Sequence, residues 1–160
     1  IVARRIDILG GATDFLEAAL PHELTHVVLK DRFATRSVPR WADEGAAILA
    51  DSSAKQHRHE LDLERALASR STYHTAALLT LEDYPRPEKF GVFYGQSASM
   101  TAYLVSQKTP EQFIAFVEKA NVVGYDSALR TCYNIAGVGE LDRLWRKQES
   151  APQASQHAGL

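Results

Sequence analysis

Cysteine is nearly absent from this chain. Cys132 is the single one in 160 residues, which excludes an internal disulfide and any thiolate-rich metal site. Long apolar runs are missing too: none approaches the roughly 18–20 residues that a bilayer-crossing helix needs. Nor does one sign of charge dominate. Eighteen basic against twenty acidic residues leave a formal net charge of −2, which argues against a strongly basic nucleic-acid binder. The chain starts at Ile1 without the basic, apolar and small-residue succession of a signal peptide, so it reads as a piece of something longer. What remains is ordinary globular composition, 45% hydrophobic and 24% charged, at a length that supports one domain with its own core. Six histidines are the part of the composition with chemical content.

The periodicity is mostly helical. Residues 1–9 alternate Ile6 and Ile8 with Arg5 and Asp7, a short strand pattern ended by Gly10-Gly11. Thr13 or Asp14 can cap a helix whose apolar positions Leu16, Leu20, Leu24, Val27 and Val28 would face the core. Pro21 inside that pattern either kinks it or begins a fresh helix. A polar segment from Asp31 to Ser37 separates it from a small-residue helix over Trp41–Ala50. A half-exposed helix fits Gln56–Ser69, and residues 71–92 read as irregular, with Ala76–Leu81 able to extend. Helices follow over Phe93–Gln107, after the Thr109-Pro110 start signal, over Asp126–Asn134 and over Val138–Glu149. The tail from Ser150 to Leu160 lacks periodicity and reads as disordered.

His22-Glu23-Leu24-Thr25-His26 matches H-E-x-x-H. Residues i and i+4 lie one turn apart on one helix face, so both imidazoles can reach one ion, with Glu23 beside it to take a proton from water. A catalytic zinc site takes three protein ligands and keeps a fourth position open. Glu44, eighteen residues after His26, suits the third; alone, it reads more simply as a solvated charge favoured by a helix start. Gly45, Ala46 and Ala47 would let its helix approach the histidine helix closely.

With Pro39-x-Trp41-x-x-Glu44-Gly45-x-Ala47 following the histidine motif, the chain resembles the gluzincin metallopeptidases, in particular the peptidase MA-like group, with aminopeptidase N-like and thermolysin-like enzymes more distant. The resemblance implies one zinc ion held by His22, His26 and Glu44, with Glu23 as catalytic base. Asp43 stands where aminopeptidase N-like proteins usually carry asparagine. The segment Tyr94-Gly95-Gln96-Ser97-Ala98-Ser99 is similar to their Y-x-K-G-A-S block, with Gln96 and Ser97 replacing lysine and glycine. Tyr94 is thereby implied as the phenol that stabilises the oxyanion, a role suited to a donor aimed at developing negative charge. Thr109–Phe113, Asp126–Leu129 and Glu140–Trp145 follow the order of short helices that closes many such domains. The G-x-M-E-N loop that reads a substrate amino terminus has no counterpart between Ile1 and Pro21, so nothing supports exopeptidase action.

Other polar groups are weaker candidates. His57 and His59, two apart, point to opposite sides of a helix and cannot share a metal there, so that cluster reads as a solvated helix start. His74 lies in the irregular stretch that can border a cleft. Asp43 and Asp51 are both candidates for the carboxylate that orients a metal-binding imidazole. Cys132 reads as a small buried apolar residue.

The resulting expectation is a mainly α fold, α+β only through a small N-terminal strand. It is a zincin-like helical subdomain with the histidine helix packed on the glutamate helix. Residues 1–149 would form the metallopeptidase domain and 150–160 a disordered tail. Its partners would be peptides or proteins and not nucleic acid, and the resemblance leans toward a bacterial extracytoplasmic setting. The alternative is a metal-binding but catalytically silent scaffold or binding module.

Overall fold

The computed structural model describes residues 19–34 and 36–151. The strand expected over residues 1–9 and nearly all of the expected tail lie outside them. The described residues form a mainly α fold of eight helices, with no strand among them. In order these are α1 (Leu20–Phe33), α2 (Arg40–Leu49), α3 (Ser53–Ala68), α4 (Thr75–Leu79), α5 (Phe90–Gln107), α6 (Pro110–Val123), α7 (Tyr125–Tyr133) and α8 (Val138–Glu149). None of them is long and apolar enough to cross a membrane.

Of the two possibilities at Pro21, the described residues show the second: a helix begins at Leu20 with Pro21 in its first turn, where the missing N–H leaves no bond unmade. It also runs through Asp31–Phe33, expected to be loop, because Leu29 and Phe33, one turn apart, are both buried. The expected core face of α1 needs correction. Leu24 and Val28 are 43% and 63% exposed, whereas His22, His26, Leu29 and Phe33 share the side that meets α2. Two histidines that must reach Glu44 have to point inward, and helical geometry then turns the Leu24 side out. There it lines an open apolar groove with Leu49, Val105, Phe113 and Ile114.

Helix α5 is the central element, buried along most of its length between α2 and α3. Two glycines set how closely it lies to each. A Cβ on Gly45 of α2 would clash with Thr101 Oγ1 and sit 2.6 Å from the Ser97 carbonyl oxygen of α5. A Cβ on Gly95 of α5 would sit 2.5 Å from the His59 carbonyl oxygen of α3. Gly45 therefore serves the contact with α5, not the expected approach of α2 to α1.

Residues 76–79 fold within α4 instead of extending: Leu78 and Leu79 are buried, and a helical turn meets the backbone's hydrogen-bonding needs locally. Thr75 Oγ1 donates to Asp142 Oδ1 at 2.7 Å, tying α4 to α8. The Gln96 side chain, fully buried, accepts from Tyr73 N at 2.8 Å and donates to Tyr73 O at 2.9 Å. Gln96 thus pins the segment before α4. Thr109 caps α6 by accepting from Gln112 N at 3.3 Å, as its sequence signal predicts. Trp41, wholly buried in α2, donates from Nε1 to Tyr125 Oη at 2.9 Å, and that hydroxyl donates to Leu79 O at 2.9 Å.

Candidate metal centre

His22 and His26 project from α1 toward α2, which carries Glu44 in its buried middle. Each of the three offers one ligand atom, and these atoms lie within 4.8 Å of one another, a cluster able to hold a metal ion. His22 Nε2 and His26 Nε2 are 3.2 Å apart, and His26 Nε2 is 3.9 Å from Glu44 Oε2.

What surrounds these atoms matters as much as their spacing. His22 Nδ1 lies 3.0 Å from Asp51 Oδ2, and His26 Nδ1 lies 2.8 Å from Asp43 Oδ1. A carboxylate only accepts, so each Nδ1 carries its ring's proton and each Nε2 is left with a lone pair. The remaining ligand is held in the same way, since Tyr84 donates its hydroxyl to Glu44 Oε1 and leaves Oε2 for the cluster. Two imidazole lone pairs 3.2 Å apart repel unless a cation or a shared proton lies between them. Nitrogen and carboxylate oxygen in this number, each braced from behind, suit a metal ion.

The question left open between Asp43 and Asp51 is answered by division: each serves one histidine. Neither is close to its histidine in sequence; both come from the α2 region, Asp43 one residue before Glu44 and Asp51 two residues after α2 ends. The hydrogen bond to Asp43 holds the His26 pKa above its ordinary 6.5, against burial and with help from Glu44 and Glu23.

Beside the cluster is an open cavity of about 460 Å³ lined by His22, Glu23, Glu44, Asp51, His59 and Tyr94, among others. Glu23 is exposed on α1, next to His22. Burial, together with the Glu44 charge, raises the Tyr94 pKa, so its hydroxyl keeps its proton and can donate. The structure thus brings together His22, Glu23, His26, Glu44 and Tyr94. His74, by contrast, is exposed at the start of α4 and does not line this cavity. The histidine pair on α3 separates. His57 is on the surface, 3.2 Å from Glu60 Oε2, whereas His59 is half-buried in the cavity wall. Cys132 is partly buried against the core.

Tyr84 is the site residue that sequence reasoning missed. It lies forty residues after its partner, in a proline-broken stretch without periodicity. The Arg40 guanidinium stacks 4.2 Å over its ring, and Arg40 Nε donates to Glu82 O at 2.6 Å, which anchors that stretch over α2. Burial and the bond to Glu44 push the Tyr84 pKa well above the usual phenol range.

A helical fold in which two histidines and a buried glutamate converge beside a carboxylate and a phenol defines a metallopeptidase-like domain. The chain belongs to the Peptidase MA superfamily, whose family model matches residues 3–150. No curated protein and no solved structure matches it.

Proposed function

We propose that the protein is a zinc-dependent peptidase of the gluzincin type, with residues 1–149 as its domain and His22, His26 and Glu44 as metal ligands. The observation that carries this reading is the bracing of the ligands. Asp51, Asp43 and Tyr84 each occupy the far atom of one ligand, which leaves the near atoms to converge on one point. A zinc ion there would polarise the scissile carbonyl and make water acidic enough to react near neutral pH.

The chain's own residues supply the rest. Glu23 stands exposed beside His22, where its carboxylate accepts the proton of the attacking water and passes it to the departing amine. Tyr94 donates its hydroxyl to the oxyanion that forms as the carbonyl becomes tetrahedral. Its raised pKa keeps that donor intact through the neutral range.

Two measurements on one preparation test the reading: metal content after purification without added metal, and digestion of a mixed peptide pool with and without zinc. Zinc near one equivalent, and cleavage that disappears in a zinc-retaining Glu23→Gln variant, are expected. Failure to take up zinc on titration removes the metal site. Equal silence of parent and variant removes the catalytic role.

A further inference from the structure

The side of α3 that faces the cluster is one stripe, Lys55, Arg58, His59 and Asp62, which the helical repeat places on a single face. Lys55 meets Asp51 at 3.2 Å, and Asp62 meets Arg65 at 2.9 Å. His59 is different. Its Nδ1 is sealed from solvent, and among the described residues neither that nitrogen nor Nε2 has a hydrogen-bond partner. The ring is held by packing, its centroid 5.8 Å from that of Tyr94, and the Gly95 backbone closes on the α3 backbone at this same residue.

An unpaired buried N–H is rarer in proteins than an unpaired buried acceptor. The sealed Nδ1 therefore keeps its lone pair, and the proton sits on Nε2, the ring nitrogen not sealed in this way. Burial also holds the His59 pKa below its ordinary value, against the pull of Asp51 and Asp62, so the ring is neutral in the neutral range. The wall of the cavity that Glu23 also lines thus carries, at His59, an uncharged donor with no acceptor among the described residues.

We propose that His59 is a substrate-binding residue, its Nε2–H donating to a backbone carbonyl oxygen of a peptide lying in the cleft between α1 and α3. This rests on the peptidase reading and adds to it how the chain is gripped. A neutral donor matches a neutral acceptor that every residue of a peptide repeats, so the contact contributes to binding whatever the side chains.

The test uses zinc-loaded protein carrying Glu23→Gln, which should bind without cutting, and a pool of mixed-sequence peptides with blocked termini. Adding His59→Phe keeps a ring against Tyr94 and removes the donor. Peptide affinity is expected to fall about tenfold across the pool, with zinc stoichiometry and melting temperature unchanged. His59→Gln, which restores an N–H, should recover most of the loss. In the otherwise native chain, His59→Phe should raise KM and leave kcat nearly unaltered. Should His59→Phe fail to fold, the ¹⁵N resonance of His59 Nε2 is followed as the pool is added to the Glu23→Gln protein, and a shift is expected. Unchanged affinity, an unmoved resonance, or a loss seen only in zinc content or melting temperature overturns the proposal. The two readings fail separately. Cleavage by the parent with no effect of His59 removes this inference alone, whereas binding through His59 without cleavage removes the catalytic reading alone.

Discussion

Asp51 and His22 are joined at 3.0 Å, Oδ2 to Nδ1, by a carboxylate whose side chain is only 3% exposed. Its other oxygen meets Lys55 Nζ at 3.2 Å, so the group that orients the ring is itself oriented. Partners of this kind fix a ligand's tautomer and raise its basicity. Asp51→Asn is expected to weaken zinc binding by about 10–100-fold, measured by competition with a chromophoric chelator. Parent-like affinity would show that the carboxylate does not act through the ring.

A pH dependence follows from His26. Its pKa lies above 6.5, raised first by the hydrogen bond to Asp43. Proton and metal compete for the same Nε2, so affinity is level above that pKa and falls as pH drops through it. Loss of zinc should therefore set in above pH 6.5 in the parent chain and move to lower pH in Asp43→Asn. Chelator competition repeated across pH reads both profiles, and superimposable ones contradict the assignment.

The two tyrosines separate binding from catalysis. Tyr94 faces the cavity, and Tyr94→Phe should lower kcat by about 10²–10³ while zinc affinity stays as it was. Tyr84 bonds Glu44 Oε1, so Tyr84→Phe should loosen zinc by about tenfold or more. Stopped-flow zinc release and steady-state cleavage of one reporter peptide distinguish them. A change in zinc affinity in Tyr94→Phe, or none in Tyr84→Phe, would reverse these roles.

The legible part of the site was the part written in short spacings. His22, Glu23 and His26 fall within five residues, so a helical period is enough to bring them together, whereas Glu44 joins them through a motif of its own and the resemblance that motif carries. Which way α1 turns was not legible. Its apolar residues Leu24 and Val28 look like a core face until the ligands' need to meet Glu44 is imposed. Tyr84 was invisible because nothing local marks a tyrosine that a cation–π contact and a carbonyl bond carry over α2. His57 and His59, two apart, cannot share a metal on a helix and so read together as a solvated helix start; only the fold shows that the His59 side faces the cleft.

Packing gives a further prediction. Gly45→Ala places a methyl group against the Ser97 carbonyl oxygen and Thr101 Oγ1, and backbone cannot step aside as a side chain can. The expected cost is about 1–3 kcal/mol, or roughly 3–10 °C in melting temperature for a domain of this size. Thr101→Ala in the same background removes one of the two contacts and should recover only part. An unchanged melting temperature in Gly45→Ala would mean that α2 and α5 have slack between them.

Because Gly45 and Gly95 bring α5 to its neighbours backbone against backbone, the span from Glu44 to Tyr94 behaves as a machined spacer. At each contact a backbone carbonyl oxygen, of Ser97 or of His59, sets the limit, and a change of rotamer alone cannot move it. Two glycines that touch neither metal nor substrate thereby set the width of the cleft, and a methyl group added at either is expected to disturb the site as well as the fold.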